Sequence, residues 1–293
     1  MPMRLIQIPR NDLKPTEITL SDEAFHRLAD FVYQRCGIHI TSRKRTMLEA
    51  RVRRRMQETG IERIETYCRF LVERDNLESE EEAIHLIDAV TVNKTDFFRE
   101  PTHFSYLTKT ILPELVAKGQ RNFKIWSAAS SYGAEPYTIA MVVDDFCQEH
   151  SGCDYFVLGT DICTKVLEKA SAARYSEAQI APIPPQQRRR HVMVAKDKTR
   201  REYRMAPHLR SKVAFLQLNL FGDHYPISVD YDVIFCRNVL IYFDKKTQKR
   251  LLNQLILHMK PDGYLILGHS ESTVGMDLPL VSVANTIFRR REA

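Results

Sequence analysis

The sequence predicts an α/β protein: a mostly parallel, doubly wound sheet with a small inserted antiparallel β-subdomain, preceded by a small all-α domain. Three observations predict it. From about residue 123 onward, apolar runs of strand length alternate with helical patterns, as a parallel sheet with crossover helices requires. Before residue 90, apolar residues recur only at helical spacing. Between residues 182 and 212 the alternation breaks, and two short runs, 191–194 and 202–205, stand among basic residues.

Taken in order, Ser21 is placed to cap a helix whose apolar stripe is Phe25, Leu28, Ala29 and Val32, with Gly37 as its stop. Ser42 is placed to cap a second, with Leu48, Val52 and Met56 on one face and Gly60 at its end. Its other face is expected to carry Arg43, Lys44, Arg51, Arg54 and Arg55. A third helix covers residues 63–73. Ser79-Glu80-Glu81-Glu82 has capping-box spacing and opens a fourth, with Ile84, Ile87 and Val90 inward. The second half then reads strand 123–128, helix 136–147, strand 155–160, helix 164–173, strands 215–218 and 232–236, and helix 245–259. Pro261-Asp262-Gly263 reads as a turn before strand 264–267, and residues 281–283 and 286–289 as a hairpin turning at Ala284-Asn285. Residues 191–194 and 202–205 read as the antiparallel insertion. The boundaries drawn are a flexible extension, 1–18; a helical domain, 19–90; a linker and helix, 91–122; and the α/β domain, 123–293, with its insertion at 186–214.

Length agrees with about two domains, since 293 residues exceed one typical unit. A hydrophobic fraction of 44% and a charged fraction of 27% are ordinary for a soluble globular chain. No apolar run reaches the roughly 18–20 residues that span a bilayer, and residues 1–10 lack the apolar core of a signal peptide. The expected location is therefore the cytosol, without membrane insertion. Six scattered cysteines with no C-x-x-C pair argue against a zinc site and a disulfide framework, and no metal is expected. The net charge of +6 is concentrated. Residues 43–55 carry seven basic side chains and one acid, and residues 188–212 ten and two. Such patches suit an acidic macromolecule, whether nucleic acid, anionic lipid or protein; a solvated helix face plus a basic loop is the plainer reading.

Two runs lack the period of a core element. Arg237-Asn238-Val239-Leu240-Ile241-Tyr242-Phe243-Asp244 follows an apolar strand and precedes a helix, so it lies at a strand's carboxyl end, where ligands sit in open α/β sheets. Asn93-Lys94-Thr95-Asp96-Phe97-Phe98-Arg99-Glu100 is the other. The loop after the first strand, Ala128-Ala129-Ser130-Ser131-Tyr132-Gly133-Ala134-Glu135, has one glycine and neither G-x-G-x-x-G nor a P-loop, which disfavours NAD, FAD, ATP and GTP. Small residues with a carboxylate suit a cationic ligand without phosphate, and S-adenosylmethionine fits. Asp161 ends the second strand, where a carboxylate can accept from ribose hydroxyls. The bland alternatives are a helix N-cap for Asp161 and a first-turn acid favoured by the helix dipole for Glu135.

Together these residues carry a resemblance. The chain resembles the chemotaxis receptor methyltransferases, the CheR family, over about residues 20–290. The runs that carry it are Asn93-Lys94-Thr95-Asp96-Phe97-Phe98-Arg99, Glu135-Pro136-Tyr137, Gly159-Thr160-Asp161-Ile162, Arg237-Asn238-Val239-Leu240-Ile241-Tyr242-Phe243 and Gly268-His269-Ser270-Glu271-Ser272. The resemblance implies a helical N-terminal domain and a Rossmann-like S-adenosylmethionine-dependent methyltransferase domain that esterifies receptor glutamates. It implies cofactor contacts at Asn93, Thr95, Arg99, Glu135, Asp161, Asn219, Leu220, Arg237 and Asn238, with S-adenosylhomocysteine as product. Two departures stand out: Ala134 where the family often has a glutamate, and Tyr132 where a small residue is expected. The Ala195-Lys196-Asp197-Lys198-Thr199 hairpin also lacks the glycines associated with members that bind a receptor's C-terminal peptide.

A glutamate nucleophile is already ionised near neutrality, so no general base is needed. Arg99 and Tyr242 are expected to orient the target carboxylate and the methyl donor. The competing readings are a surface ion pair with Glu100 or Asp96 for Arg99, and a half-buried aromatic at a helix start for Tyr242. His269 and Glu271 are expected to be structural. The basic face of Arg43, Lys44, Arg51, Arg54 and Arg55 is expected to meet the acidic helical methylation region of the receptors, with the enzyme a monomer. Two rivals remain. A nucleic-acid methyltransferase is disfavoured because the strand-end loop is Arg-Asn-Val-Leu rather than Asn/Asp-Pro-Pro-aromatic, and because Cys236 follows Phe235 rather than proline. A non-catalytic scaffold that binds cofactor or receptor is the other.

Overall fold

The computed structural model describes residues 19–73, 76–91, 93–195, 197 and 201–291. The N-terminal extension lies outside them, as do Lys196, Lys198 and Thr199 of the insertion's hairpin. The chain divides into two compact units, one of Met1–Phe31 with Thr41–Leu86 and one of Val32–Ile40 with Ile87–Ala293.

The smaller unit is helical. Helix α1, Asp22–Cys36, starts where the Ser21 hydroxyl accepts the Ala24 N–H at 3.2 Å, and stops at Gly37, whose φ of 72° is left-handed. Helix α2, Arg45–Thr59, buries Leu48, Val52 and Met56 and ends at Gly60. Ser42 opens a 3-10 turn, Ser42–Lys44, instead of capping α2. Helix α3 is Ile64–Glu73 and helix α4 is Leu77–Val90. The capping box of α4 sits three residues earlier than expected. Asn76 Oδ1 accepts the Ser79 N–H at 2.9 Å and Ser79 Oγ accepts the Asn76 N–H at 3.3 Å. Ile87 and Val90 face inward as expected, together with Ser79, Glu82, Ala83 and Leu86, but Ile84 is exposed.

In the larger unit, helix α5, Pro101–Tyr106, runs through a π turn, Leu107–Ile111, into α6, Leu112–Ala117. Pro113 explains the turn: it has no N–H for an i−4 carbonyl, and the wider turn absorbs the mismatch. Then come β1, Asn122–Ala128; α7, Ala134–Glu149; β2, Asp154–Asp161; and α8, Thr164–Ala172. The insertion spans β3, Arg174–Ser176; α9, Glu177–Ile180; α10, Pro185–His191; β4, Val192–Val194; and β5, Glu202–Met205. Its antiparallel sheet has the order β3-β5-β4, so Arg174–Ser176 adds a strand ahead of the two expected. Helix α11, Pro207–Arg210, leads to β6, Val213–Gln217, then β7, Tyr231–Cys236, and α12, Lys245–Leu257. Strand β8, Met259–Leu267, runs through Pro261-Asp262-Gly263; the turn expected there is an irregularity in the ladder, with Asp262 at φ 62°. Strands β9, Leu280–Ala284, and β10, Ile287–Arg290, close the edge as a hairpin.

The main sheet has the order β6-β2-β1-β7-β8-β10-β9. The first five strands are parallel and the last two antiparallel. Strand order reverses between β1 and β7, which makes that gap the switch point where open sheets bind ligands. Successive side chains feed two apolar layers, because a strand alternates faces. Ile125, Val157, Phe235 and Ile266 pack with α7 on one side. Trp126, Leu158, Ile234 and Leu265 pack with Leu251 and Leu255 of α12 on the other. The central strand β7 is buried along its whole length, as a doubly covered parallel strand must be.

Candidate functional site

At the switch point, the β1 loop carries Ser130 and Ser131, the β7 loop Arg237 and Asn238, and the β8 loop Gly268 and Glu271. All lie at carboxyl ends of parallel strands. The loop backbones are strained. Ala129, Ser131 and Asn238 have φ of 64°, 50° and 60°, and Phe98 and Glu100 nearby have 55° and 56°. Five left-handed non-glycine residues in one site are costly unless the surroundings hold them.

The surroundings do hold them. The Ser131 N–H and the Cys163 N–H donate to the two Asp161 carboxylate oxygens at 2.8 and 3.0 Å. Glu271 is buried, and its carboxylate accepts the N–H groups of Gly268, Asn238 and Leu240 at 2.7, 2.9 and 2.8 Å. That brace fixes the β7 loop and needs glycine at 268: a Cβ there would fall 2.6 Å from Asn238 Nδ2 and 3.0 Å from Glu271 Oε2. The 93–100 segment is stitched to the same place. Ser131 Oγ donates to the Asn93 carbonyl at 2.9 Å, the Tyr132 hydroxyl donates to the Thr95 carbonyl, and the Phe98 N–H donates to Thr138 Oγ1 at 3.2 Å.

Arg237 is the hub. Its side chain is 2% exposed and lies over the Phe104 ring, 5.4 Å from the centroid. It donates to Glu135 at 2.8 Å, to Glu100 at 3.0 Å and to the Arg99 carbonyl at 2.5 Å. Glu135 also accepts from Ser127 Oγ at 2.7 Å. Glu100 also accepts from Asn238 Nδ2 and the His269 N–H, both at 3.2 Å. Burial lifts the Glu135 carboxyl above its ordinary range, against the pull of Arg237 and Ser127. Burial also acts on Glu100, but there the Arg237 charge and its hydrogen bonds win and the carboxyl falls below its ordinary range. His103 is 1% exposed, and burial and Arg237 push it down to about 4, so it is a neutral imidazole at neutral pH.

Of the residues expected from sequence, Asn93, Thr95, Arg99, Glu135, Asp161, Arg237 and Asn238 converge at the switch point. Glu100 was missed as a site residue. It pairs with Arg237 rather than with Arg99, whose Nη1 donates instead to the Lys94 carbonyl at 3.2 Å. Its place inside the 93–100 run was the available signal. Asn219 and Leu220 follow β6. Asn219 spends its amide on the Phe221 N–H and the Arg35 carbonyl, at 3.0 and 2.7 Å, and the Leu220 side chain is in the core. Tyr242 is half-buried, its carbonyl accepting the His39 N–H at 2.9 Å; burial raises its hydroxyl pKa while the nearby Arg99 charge lowers it. The departures have local explanations: Ala134 is fully buried in the apolar cluster under α7, and the Tyr132 ring packs toward Tyr175 at 6.1 Å between centroids.

In the helical unit, Arg43, Arg51 and Arg54 are exposed and Lys44 is half-buried. Arg55 is a correction. It is 6% exposed and grips Glu82 of α4 with two bonds, at 2.9 and 2.5 Å, beside the Tyr67 hydroxyl at 2.7 Å. A buried carboxylate requires a counter-charge, so Arg55 belongs to the core and not to the basic face.

The donor set fits an adenosyl sulfonium. A carboxylate accepts about four hydrogen bonds. Glu135 and Asp161 spend two each in the bonds above, so both keep acceptor capacity for an ammonium or a ribose diol. The buried Ser130 hydroxyl and Arg237 Nε have no partner among the described residues. No helix among the described residues is long and apolar enough to cross a membrane, and the six cysteines are free thiols.

Comparison with known proteins agrees with this geometry. Residues 23–91 match the family model "CheR methyltransferase, all-alpha domain", and residues 93–287 match "CheR methyltransferase, SAM binding domain". The chain is 37% identical to a chemotaxis protein methyltransferase of Escherichia coli over 277 residues, covering 94% of each chain. It is 35% identical to one of Borreliella burgdorferi over 264 residues, covering 88% of this chain and 91% of that one. It is 38% identical to one of Klebsiella aerogenes over 256 residues, covering 87% and 85%.

Proposed function

This chain belongs to the CheR methyltransferase family and is an S-adenosylmethionine-dependent methyltransferase; from that premise we propose that it esterifies glutamate side chains of chemotaxis receptors. The bound cofactor supplies an electrophilic methyl group on a sulfonium. We assign its binding to Asn93, Thr95, Arg99, Glu135, Asp161, Asn219, Leu220, Arg237 and Asn238. Glu135 and Asp161 provide the anionic acceptors. Arg237 and Ser127 hold Glu135 in place, while the strained loops bring backbone edges close.

One observation carries the glutamate assignment: Glu271, Glu100, Glu135 and His103 offer no free general base. Glu271 is spent on three backbone N–H groups, Glu100 and Glu135 are spent on Arg237, and His103, held near 4, is too weak a base to deprotonate an alcohol or amine. A site so arranged suits a nucleophile that arrives ionised, and a glutamate side chain does, with a pKa of about 4.3. What remains is positioning, where oriented reactants gain several kcal/mol. Arg99 and Tyr242, close enough for the arginine charge to act on the phenol, are assigned to orient the target carboxylate and exclude water. Arg43, Lys44, Arg51 and Arg54 are assigned to steer the acidic helical region of the receptor.

The test incubates the protein with labelled S-adenosylmethionine and receptor-containing membranes and maps the methyl by peptide mass spectrometry. Methyl on receptor glutamates is the expected result. Label in nuclease-sensitive material, or cofactor binding without transfer, overturns the proposal in favour of a nucleic-acid enzyme or a scaffold.

A further inference from the structure

Away from the switch point, two histidines and two aspartates of the larger unit meet where the insertion packs on α7. His191, at the end of α10, is fully buried. Its Nε2 lies 3.0 Å from Asp145 Oδ1, and its Nδ1 lies 3.0 Å from Nε2 of His208 on α11. His208 Nε2 is 4.0 Å from Asp144 Oδ2, and the donor atoms of Asp144, His191 and His208 all lie within 4.8 Å of one another. Asp145 is otherwise occupied, accepting from Arg190 at 2.7 Å and Gln187 at 3.2 Å. Asp144 accepts from Gln148 at 2.6 Å and from the Tyr155 hydroxyl at 3.3 Å.

We propose that Asp144, His191 and His208 form a binding site for a divalent cation of the zinc class, with Asp145 as the carboxylate that orients His191. Asp145 draws the ring proton to Nε2, which leaves the His191 Nδ1 lone pair facing His208, the arrangement that metal-bound imidazoles show. Zinc–nitrogen bonds of about 2.0–2.1 Å put tetrahedral ligand atoms about 3.3 Å apart, close to the separation of the two imidazole nitrogens. The two carboxylates outweigh Arg190 and favour added positive charge. The His208 side chain is 46% exposed, so an ion has a path in and solvent can fill the fourth position. The role is structural. Asp144 is ten residues along α7 from Ala134, about 15 Å from the strand ends at the helical rise, and the ion ties α7 to the helices that flank β4 and β5.

The test uses the full chain, stripped of metal, titrated with Zn²⁺ alone in competition with a chromophoric chelator and followed by thermal melting. One equivalent is expected to bind and to raise Tm by mass action. His208→Ala and Asp144→Asn should each weaken binding by at least about tenfold and lose the Tm response. His208 is exposed, so its variant should melt like the unsubstituted chain without Zn²⁺. His269→Ala, a control for the Glu100, His103 and His269 grouping, should retain both responses. Binding no tighter than in His208→Ala, or loss in His269→Ala instead, overturns the proposal.

Discussion

Replacing Glu135 by glutamine isolates the charge at the centre of the proposed cofactor site. The Glu135 side chain is 11% exposed, 2.8 Å from Arg237 and 2.7 Å from Ser127 Oγ. The amide keeps the shape and still accepts from Arg237, which retains Glu100 at 3.0 Å and the Arg99 carbonyl. The fold therefore exchanges one charge-assisted bond for a neutral one, a difference of about 1–2 kcal/mol. That is well under the roughly 3–5 kcal/mol of stranding a buried charge. Tm should fall by only a few degrees. Cofactor binding should suffer more. Losing a carboxylate–ammonium contact costs about 1.5–3 kcal/mol, or about 10- to 150-fold in affinity. Calorimetry with S-adenosylhomocysteine reads this directly, with a melt as the control for folding. Because burial raises the Glu135 carboxyl pKa, affinity in the unsubstituted protein should also weaken as pH falls through that raised value, and the glutamine variant should lose this dependence. An affinity within threefold of the parent, in a folded variant, would refute the assignment of Glu135 to the cofactor.

Other predictions follow from the same geometry. Tyr242→Phe should lower turnover about threefold to tenfold, the worth of one orienting hydrogen bond, with S-adenosylhomocysteine affinity unchanged in calorimetry; unchanged turnover would remove Tyr242 from the reaction. His103 has a folded pKa of about 4 against an ordinary 6.5, so the unfolded chain binds the extra proton between those values. Stability should therefore be undiminished above pH 6.5 and fall by about 3 kcal/mol on approaching pH 4, a slope that urea unfolding should find reduced in His103→Asn. Glutamates at Arg43, Arg51 and Arg54 should cut kcat/KM on receptor by about tenfold or more at low salt, with the gap closing as salt rises. Arg55→Met should instead strand Glu82 and destabilise the helical unit by about 3–5 kcal/mol in denaturant melts, and a neutral result would show that Glu82 is not buried with its charge.

The fold was legible wherever one strand or helix declared itself. Ile125 and Trp126 face opposite layers because a strand alternates faces, and a parallel strand covered on both faces is apolar throughout, a pattern that needs no tertiary knowledge. Phase and pairing were less accessible. Ser79-Glu80-Glu81-Glu82 satisfies a capping box in sequence, but Asn76 competes for the same role and wins; Ile87 and Val90 still face inward, while Ile84 is exposed. Arg55 looks like one more cation on a basic face, and only the approach of Glu82, 27 residues away, makes it a core residue. At the site, residue types and strand-end positions were readable, and seven of the nine expected cofactor residues meet at the switch point. Which partner each would take was not readable. Arg237 and Glu135 are 102 residues apart, and the Glu100 contact adds a third segment. The Glu271 brace is equally non-local in effect, since its three bonds exist only once the β7 and β8 loops lie side by side.

The central claim is that the methyl group goes to a carboxylate that arrives already ionised. The most direct measurement is the fate, in mild alkali, of label transferred from S-adenosylmethionine to receptor-containing membranes. Release of the label as methanol, from receptor and in proportion to the protein added, is the result expected of glutamate methyl esters. Label that survives alkali would mean methylated nitrogen or carbon and would contradict the account.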